Sequence, residues 1–131
     1  MQLVRFKDNP IISPTNNWWE ISATFNPAAT IFQNEVLLLY RAIGGDGLSR
    51  FGLAHSSDGF HFQRFDTPIL EAKESTSAER LGIEDPRITK IEDTYYITYT
   101  AASVYPAEYY QASKFPPPIS HPAPWRIRPS L

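Results

Sequence analysis

The chain has 131 residues, 42% hydrophobic and 20% charged, with a net charge of -2 and no cysteine. That length suits one domain, which buries roughly two-thirds of its unfolded surface if it folds compactly. Lack of cysteine excludes a disulfide framework, a thiolate zinc site and a Cys nucleophile, and fits a reducing compartment; lack of a basic stripe excludes nucleic acid as a partner. The longest apolar run, Val36-Leu37-Leu38-Leu39-Tyr40, is too short to span a membrane, and Met1 to Lys7 has no apolar signal-peptide region. The expectation is a cytoplasmic protein.

From the N-terminus, Trp18-Trp19-Glu20 reads as blade packing, with sugar stacking by Trp18 as the alternative. Ala28 to Phe32 predicts a short strand, Gln33-Asn34-Glu35 a turn, and Val36 to Ala42 a second strand of the continuous apolar kind buried on both faces. Gly44-Gly45-Asp46-Gly47 predicts a loop, Arg50 to Ser56 a third strand and Ser57-Asp58-Gly59 a tight turn. Phe60 to Phe65 alternates aromatic with polar and predicts a fourth, half-buried strand. A repeat then begins, with Asn26-Pro27 lying over Asp85-Pro86, Thr30 over Thr89, Asn34 over Asp93, Tyr40 over Tyr99 and Ala42 over Ala101. The second copy predicts strands at Arg87 to Ile91 and Tyr95 to Ala101, joined by Glu92-Asp93-Thr94, and then fails: the offset would put a third strand near 109–115, where no such pattern continues and no Asp-Gly turn follows. Repeated four-stranded antiparallel units predict an all-β protein, a β-propeller of which about one and a half blades are present; closure needs at least about four.

Composition breaks after Ser103. Pro106, Pro116, Pro117, Pro118, Pro122, Pro124 and Pro129 crowd the remainder, which contains no glycine. Residues 1–103 are therefore expected to be propeller blades. Residues 104–131 are expected to be a Pro-rich tail, disordered or foreign to the fold through truncation or frameshift of a longer gene.

Glu84 and Asp85 stand before a proline at the entry to a blade's first strand, the strand nearest a propeller's axis. Paired acids there suit glycosidic chemistry, which needs a proton donor beside the bridging oxygen; the structural alternative is an Asp-Pro turn with Glu84 paired to Arg87. By the repeat, Asn26 holds the place of Asp85 in the first blade, so the two share a pocket or are two independent Asx turns. Arg41 and Arg50, on neighbouring strands, would converge on an anion such as phosphate or else make surface salt bridges. A proton donor must hold its proton near neutral pH, which a cation opposes. An unbroken strand would put Arg87 on the same face as Asp85, unless Pro86 breaks the alternation. His55, His61 and His121 lack metal-ligand spacing, so no metal is expected. The Gly44–Gly47 loop lacks the Gly-Lys-Ser/Thr of a phosphate-binding loop.

These segments occur in a familiar order: Asn9-Pro10-Ile11, Trp19-Glu20, Phe25-Asn26-Pro27-Ala28-Ala29, Leu38-Leu39-Tyr40-Arg41-Ala42, Ser49-Arg50-Phe51-Gly52-Leu53-Ala54, Ser57-Asp58-Gly59, Gly82-Ile83-Glu84-Asp85-Pro86-Arg87-Ile88-Thr89 and Tyr95 to Ala101. Over residues 5–103 the chain resembles glycoside hydrolase family 130, the β-mannoside phosphorylases and related hydrolases. The resemblance implies a five-bladed propeller and phosphorolysis of β-mannosides to mannose 1-phosphate with inversion. Asp85 would supply the proton through a hydroxyl of the bound mannose. Asn26 would contact sugar, Arg41 and Arg50 would help hold phosphate or substrate, and Glu84 and Arg87 would belong to the substrate-binding set. The implied partners are a β-mannoside oligosaccharide and inorganic phosphate, with no organic cofactor; homo-oligomerisation of the full-length enzymes is left open. With later blades missing, the short chain alone is expected to be inactive. The alternatives are a β-mannoside hydrolase, a non-catalytic carbohydrate-binding or interaction module, and a truncated product without function.

Overall fold

The computed structural model describes residues 2–72, 77–103 and 125–126. Among them the structure is all-β, with a 3-10 turn at Ser77–Glu79 and no α-helix. β1 (Ala23–Phe32), β2 (Glu35–Ile43), β3 (Ser49–Ser56) and β4 (Gln63–Arg64) make an antiparallel sheet in sequence order, the meander of one propeller blade. β5 (Ile83–Ile91), β6 (Thr94–Ala101) and β7 (Trp125–Arg126) make a second sheet that packs on the first.

Local chemistry sets the turns. Phe32 pairs with Glu35, so Gln33 and Asn34 form a two-residue hairpin loop with φ of 48° and 66°. Positive φ at both positions is what a type I′ turn demands. In the second sheet Ile91 pairs with Thr94 across Glu92 and Asp93, and Glu92 has φ 53°. After β3 the predicted six-residue strand at Phe60 to Phe65 shrinks to Gln63–Arg64. Ser56 Oγ accepts from the Gly59 amide at 2.9 Å, and Asp58 Oδ1 accepts from the Phe60 and His61 amides, each at 2.8 Å. Those donors serve a side-chain-capped turn in place of a ladder.

Alternation splits the first sheet into two cores. Trp19, Leu38, Tyr40, Ala42 and Ala54 form one, with Ile11, Ile12 and Phe62 packed against it. Ala28, Leu39 and Phe51 face Ile83 and Ile97 in the other, which joins the two sheets. Full burial of Leu39 or Phe51 stabilises by roughly 1.5–3 kcal/mol each.

A close approach fixes how the sheets meet. Gly82, φ +107°, forms an isolated parallel bridge with Ser49, and a Cβ there would lie 2.4 Å from the Ser49 carbonyl oxygen. Only glycine satisfies both the φ and the contact. Residues 109–115, where the repeat fails, His121 and the rest of the Pro-rich tail apart from Trp125–Arg126 lie outside the described residues. The third place in the second sheet belongs to β7, where Arg126 pairs with Tyr96 and Trp125 with Ile97.

Candidate functional site

Both first strands start earlier than the apolar pattern predicts, because each carries a β-bulge. In β1, Phe25 pairs with Arg41 and Ala28 with Leu39, leaving Asn26 and Pro27 opposite Tyr40 alone. In β5, Glu84 pairs with Thr100 and Arg87 with Thr98, leaving Asp85 and Pro86 opposite Tyr99. Proline cannot donate to the ladder, so the ladder opens there. The preceding residue turns left-handed, Asn26 at φ 48° and Asp85 at φ 54°. Asn and Asp tolerate that region best among residues with a Cβ.

The bulges bring Asn26 and Asp85 together. Asn26 Nδ2 donates to Asp85 Oδ1 at 2.7 Å. From the neighbouring strand Arg41 donates through Nη1 to the same Oδ1 at 3.3 Å and through Nη2 to Glu84 Oε1. Its Nε donates to Ser49 Oγ at 2.9 Å, Ser49 Oγ reaches Glu84 Oε1 at 3.4 Å, and the guanidinium lies 4.6 Å from the centroid of Phe25. Arg41 is thus held on all sides and ties the first blade to the second. Both contacts to Asp85 fall on Oδ1, so among the described residues Oδ2 takes no hydrogen bond. The Asp85 side chain is 41% exposed against 15% for Arg41. The cluster therefore presents one carboxylate oxygen to solvent from a braced base of opposite charge.

The structure brings Asn26, Arg41, Glu84 and Asp85 into this cluster and leaves Arg50 and Arg87 out. Arg50 pairs with Ala42, and Arg41 with Phe51, so the two arginines point to opposite faces of the sheet and do not converge on an anion. Arg50 donates to Asp46 at 2.5 and 2.9 Å, to Glu71 at 2.9 Å and to the Leu48 carbonyl at 3.1 Å. The Arg50 guanidinium holds Asp46 down at about 2, and Asp46 and Glu71 together raise Arg50. Arg87 is exposed and donates to the Pro86 carbonyl at 2.7 Å. Pro86 does break the alternation, so Arg41, rather than Arg87, is the cation beside the two acids, and Glu84 pairs with Arg41 across the blades.

Ser49 and Phe25, absent from the sequence-derived set, complete the cluster. Alternation places Ser49 on the face of Phe51 and Arg41, and extending β3 by one residue would have found it. Phe25 holds in the first blade the place of Glu84 in the second. On the other face, Glu20, fully buried, accepts from Thr15, Asn17, Tyr40 and Arg64. Burial and that carboxylate push the Tyr40 hydroxyl far up. Among the described residues no three His, Cys, Asp or Glu are grouped to hold a metal, and no helix is long and apolar enough to cross a membrane.

Consecutive blades with a polar cluster where their first strands meet define a partial β-propeller with a candidate sugar site. A family profile described as beta-1,4-mannooligosaccharide phosphorylase, glycoside hydrolase family 130, matches residues 4–116. The chain belongs to that family. It is 43% identical over 109 residues to a 1,2-beta-oligomannan phosphorylase from Thermoanaerobacter sp. (strain X514), spanning 76% of this chain and 36% of that protein. A solved glycosyl hydrolase from Bacteroides ovatus aligns with TM-score 0.71 at 38% identity, covering 77% of this chain and 34% of its own. A further structure, associated with family 130 glycoside hydrolases that target beta-1,2 mannosidic linkages in Candida mannan, gives TM-score 0.66 at 38% identity over 71% and 32%. The chain thus spans about a third of the length of the proteins it matches.

Proposed function

We propose that this chain is the N-terminal part of an inverting β-mannoside phosphorylase and carries its proton donor. The observation behind the reading is the convergence of Asn26 and Arg41 on Asp85 across two blades, with Glu84 on the same guanidinium, Oδ1 held at 2.7 Å by Asn26 and Oδ2 without a hydrogen bond among the described residues. Phosphate attacks the anomeric carbon and the mannosidic C–O bond breaks. The leaving oxygen takes the proton of Asp85, relayed through a hydroxyl of the bound mannose, giving mannose 1-phosphate and a sugar shortened by one unit. Asn26, Arg41 and Glu84 hold Asp85 and the sugar, with Glu84 on the same guanidinium offsetting the cation beside the donor, and Arg50 and Arg87 act on substrate only if later blades bring it to them. Inorganic phosphate is the co-substrate and no organic cofactor takes part. The β-1,2 linkage is favoured by the 43%-identical relative over the β-1,4 of the family description. The setting is cytoplasmic, and the 131 residues alone do not turn sugar over, because phosphate contacts come from blades beyond them.

The test grafts residues 4–116 in place of the matching segment of the Thermoanaerobacter phosphorylase. The chimera releases mannose 1-phosphate from a β-1,2-oligomannan only with phosphate, and Asp85→Asn lowers the rate about 10²–10⁴-fold, the usual size for a lost general acid. Full activity in the Asp85→Asn chimera refutes the assignment. A hydrolase reading has the likeness to the Candida mannan structure in its favour; it predicts that a full propeller carrying these residues releases free mannose regardless of phosphate.

A further inference from the structure

Trp18 is 59% exposed, yet nothing about its mounting is loose. The next two residues, Trp19 and Glu20, are 2% and 0% exposed, and the Trp19 indole N–H donates to the Asp66 carbonyl at 2.9 Å. The Trp18 carbonyl accepts from the Gly45 amide at 2.8 Å, and the Glu20 amide closes the turn onto the Asn17 carbonyl at 3.0 Å. Ser22 fixes the exit, its amide to the Ile43 carbonyl at 3.0 Å and its hydroxyl to the Gly44 carbonyl at 2.9 Å. The indole is therefore an exposed ring on a rigid base.

One face of that ring rests on Arg50, whose guanidinium lies 4.6 Å from the centroid. Arg50 is itself 7% exposed in its side chain and locked by Asp46 and Glu71. A desolvated, immobile cation under an indole holds the ring in place. With that face covered, the exposure belongs to the other. Ile21, 47% exposed, lies beside the same loop, and the carboxyl groups of Asp46 and Glu71 are 38% and 51% exposed at the rim. A flat apolar surface ringed by acceptors suits a neutral pyranose: its C–H face covers the indole while its hydroxyls donate to the carboxylates. The acidic rim repels nucleic-acid phosphate. The Gly44–Leu48 loop that carries this arrangement leaves β2 after Ile43, two residues beyond Arg41, and enters β3 at Ser49. It therefore stands at the Asp85 end of the first sheet, on the opposite face.

We propose that Trp18, braced by Arg50, is a sugar-stacking platform that holds a pyranose unit of an oligosaccharide outside the Asp85 cluster. The choice of mannooligosaccharide as ligand rests on the function proposed above; the platform itself rests on the mounting of the ring. The 131-residue chain is titrated with β-1,2-mannobiose, mannotriose and mannotetraose by calorimetry and tryptophan fluorescence. Binding is expected to tighten with sugar length. Trp18→Ala weakens the longest sugar about tenfold and removes the length dependence, and Trp18→Phe keeps most of both. Equal affinities for Trp18→Ala and wild type overturn the proposal, as does the absence of sugar binding by the wild-type chain. So does sedimentation showing that Trp18→Ala abolishes self-association while sugar has no effect, since the ring is then a protein contact. An inactive platform leaves the phosphate-dependent, Asp85-dependent chimera assay untouched, and failure of that assay leaves length-dependent binding untouched, so the two proposals fail separately.

Discussion

Gly82→Ala is expected to separate the two sheets where the candidate site is built. The φ of +107° alone costs an L residue about 1–3 kcal/mol. The new Cβ would also lie 2.4, 2.5 and 2.9 Å from backbone atoms of Ser49, which cannot swing aside as a side-chain tip can. Forcing such a contact apart adds about 1–3 kcal/mol, for a total near 2–6 kcal/mol. Gly47→Ala is the internal control. Its φ of +76° is also unfavourable, but nothing lies within 4 Å of the new atom, so strain alone, about 1–2 kcal/mol, remains. Urea unfolding followed by the fluorescence of buried Trp19 measures both variants. The difference between them isolates the Ser49 contact. If Gly82→Ala loses no more stability than Gly47→Ala, the bridge between Ser49 and Gly82 does not hold the sheets, and the account of how Glu84 and Asp85 reach Arg41 fails with it.

Tyr40→Phe removes the 2.8 Å hydrogen bond to buried Glu20 and is expected to cost about 1–2 kcal/mol in the same urea assay, since Thr15, Asn17 and Arg64 still serve the carboxylate. Asp46 is depressed from 3.8 to about 2 by Arg50, so its contribution is full above the unfolded value and disappears as pH falls through the folded one. The stability gap between wild type and Asp46→Asn should hold from neutral pH down to about pH 4 and close near pH 2, with a size of about 1 kcal/mol or less because Asp46 is partly exposed. His61 is raised by Asp58, so its contribution is present below its unfolded value of about 6.5 and is lost as pH rises through the folded value. A His61→Gln thermal melt series should therefore approach wild type on the alkaline side, and a gap that widens there would contradict the pairing with Asp58.

Most of the first sheet was legible because its signals are local. Val36 to Tyr40 is apolar without interruption, and β2 is an inner strand of the sheet, paired on both edges. The Asn26-over-Asp85 repeat gave the two blades and located the polar pair that meets at 2.7 Å. The extent of β4 was not legible, because the amides of Phe60 and His61 are claimed by Asp58, and a side chain's competition with a ladder leaves no mark on apolar periodicity. The partner of Glu84 was not legible either. Spacing within the segment offers Arg87, whereas the real partner, Arg41, comes from another blade, brought close where the two sheets share a core and Gly82 meets Ser49. The convergence of Arg41 and Arg50 was excluded by alternation as soon as the register set Arg41 opposite Phe51.

The Asn/Asp-Pro pair carries more information than a turn. A proline near the start of a long first strand withholds a donor, so that strand carries one residue more than its partner across the break; in both blades the single residue opposite is a tyrosine, Tyr40 or Tyr99. The residue before the proline takes up the bend at positive φ, which a β-branched or bulky side chain resists and Asn or Asp accepts. The bend then re-aims that same short polar side chain out of the ladder. One dipeptide thus supplies the backbone break, the conformation and the functional group, and its recurrence in consecutive blades aims an amide and a carboxylate at one another. Replacing Pro86 by alanine returns a donor to the chain at the bulge. If the bulge depends on the missing donor, Asp85 should lose its contact with Asn26, and the Asn26 side-chain amide resonances should move to where Asp85→Ala puts them. Unchanged Asn26 resonances in Pro86→Ala would show that the left-handed Asp85 and the contact with Arg41 hold the bulge without the proline.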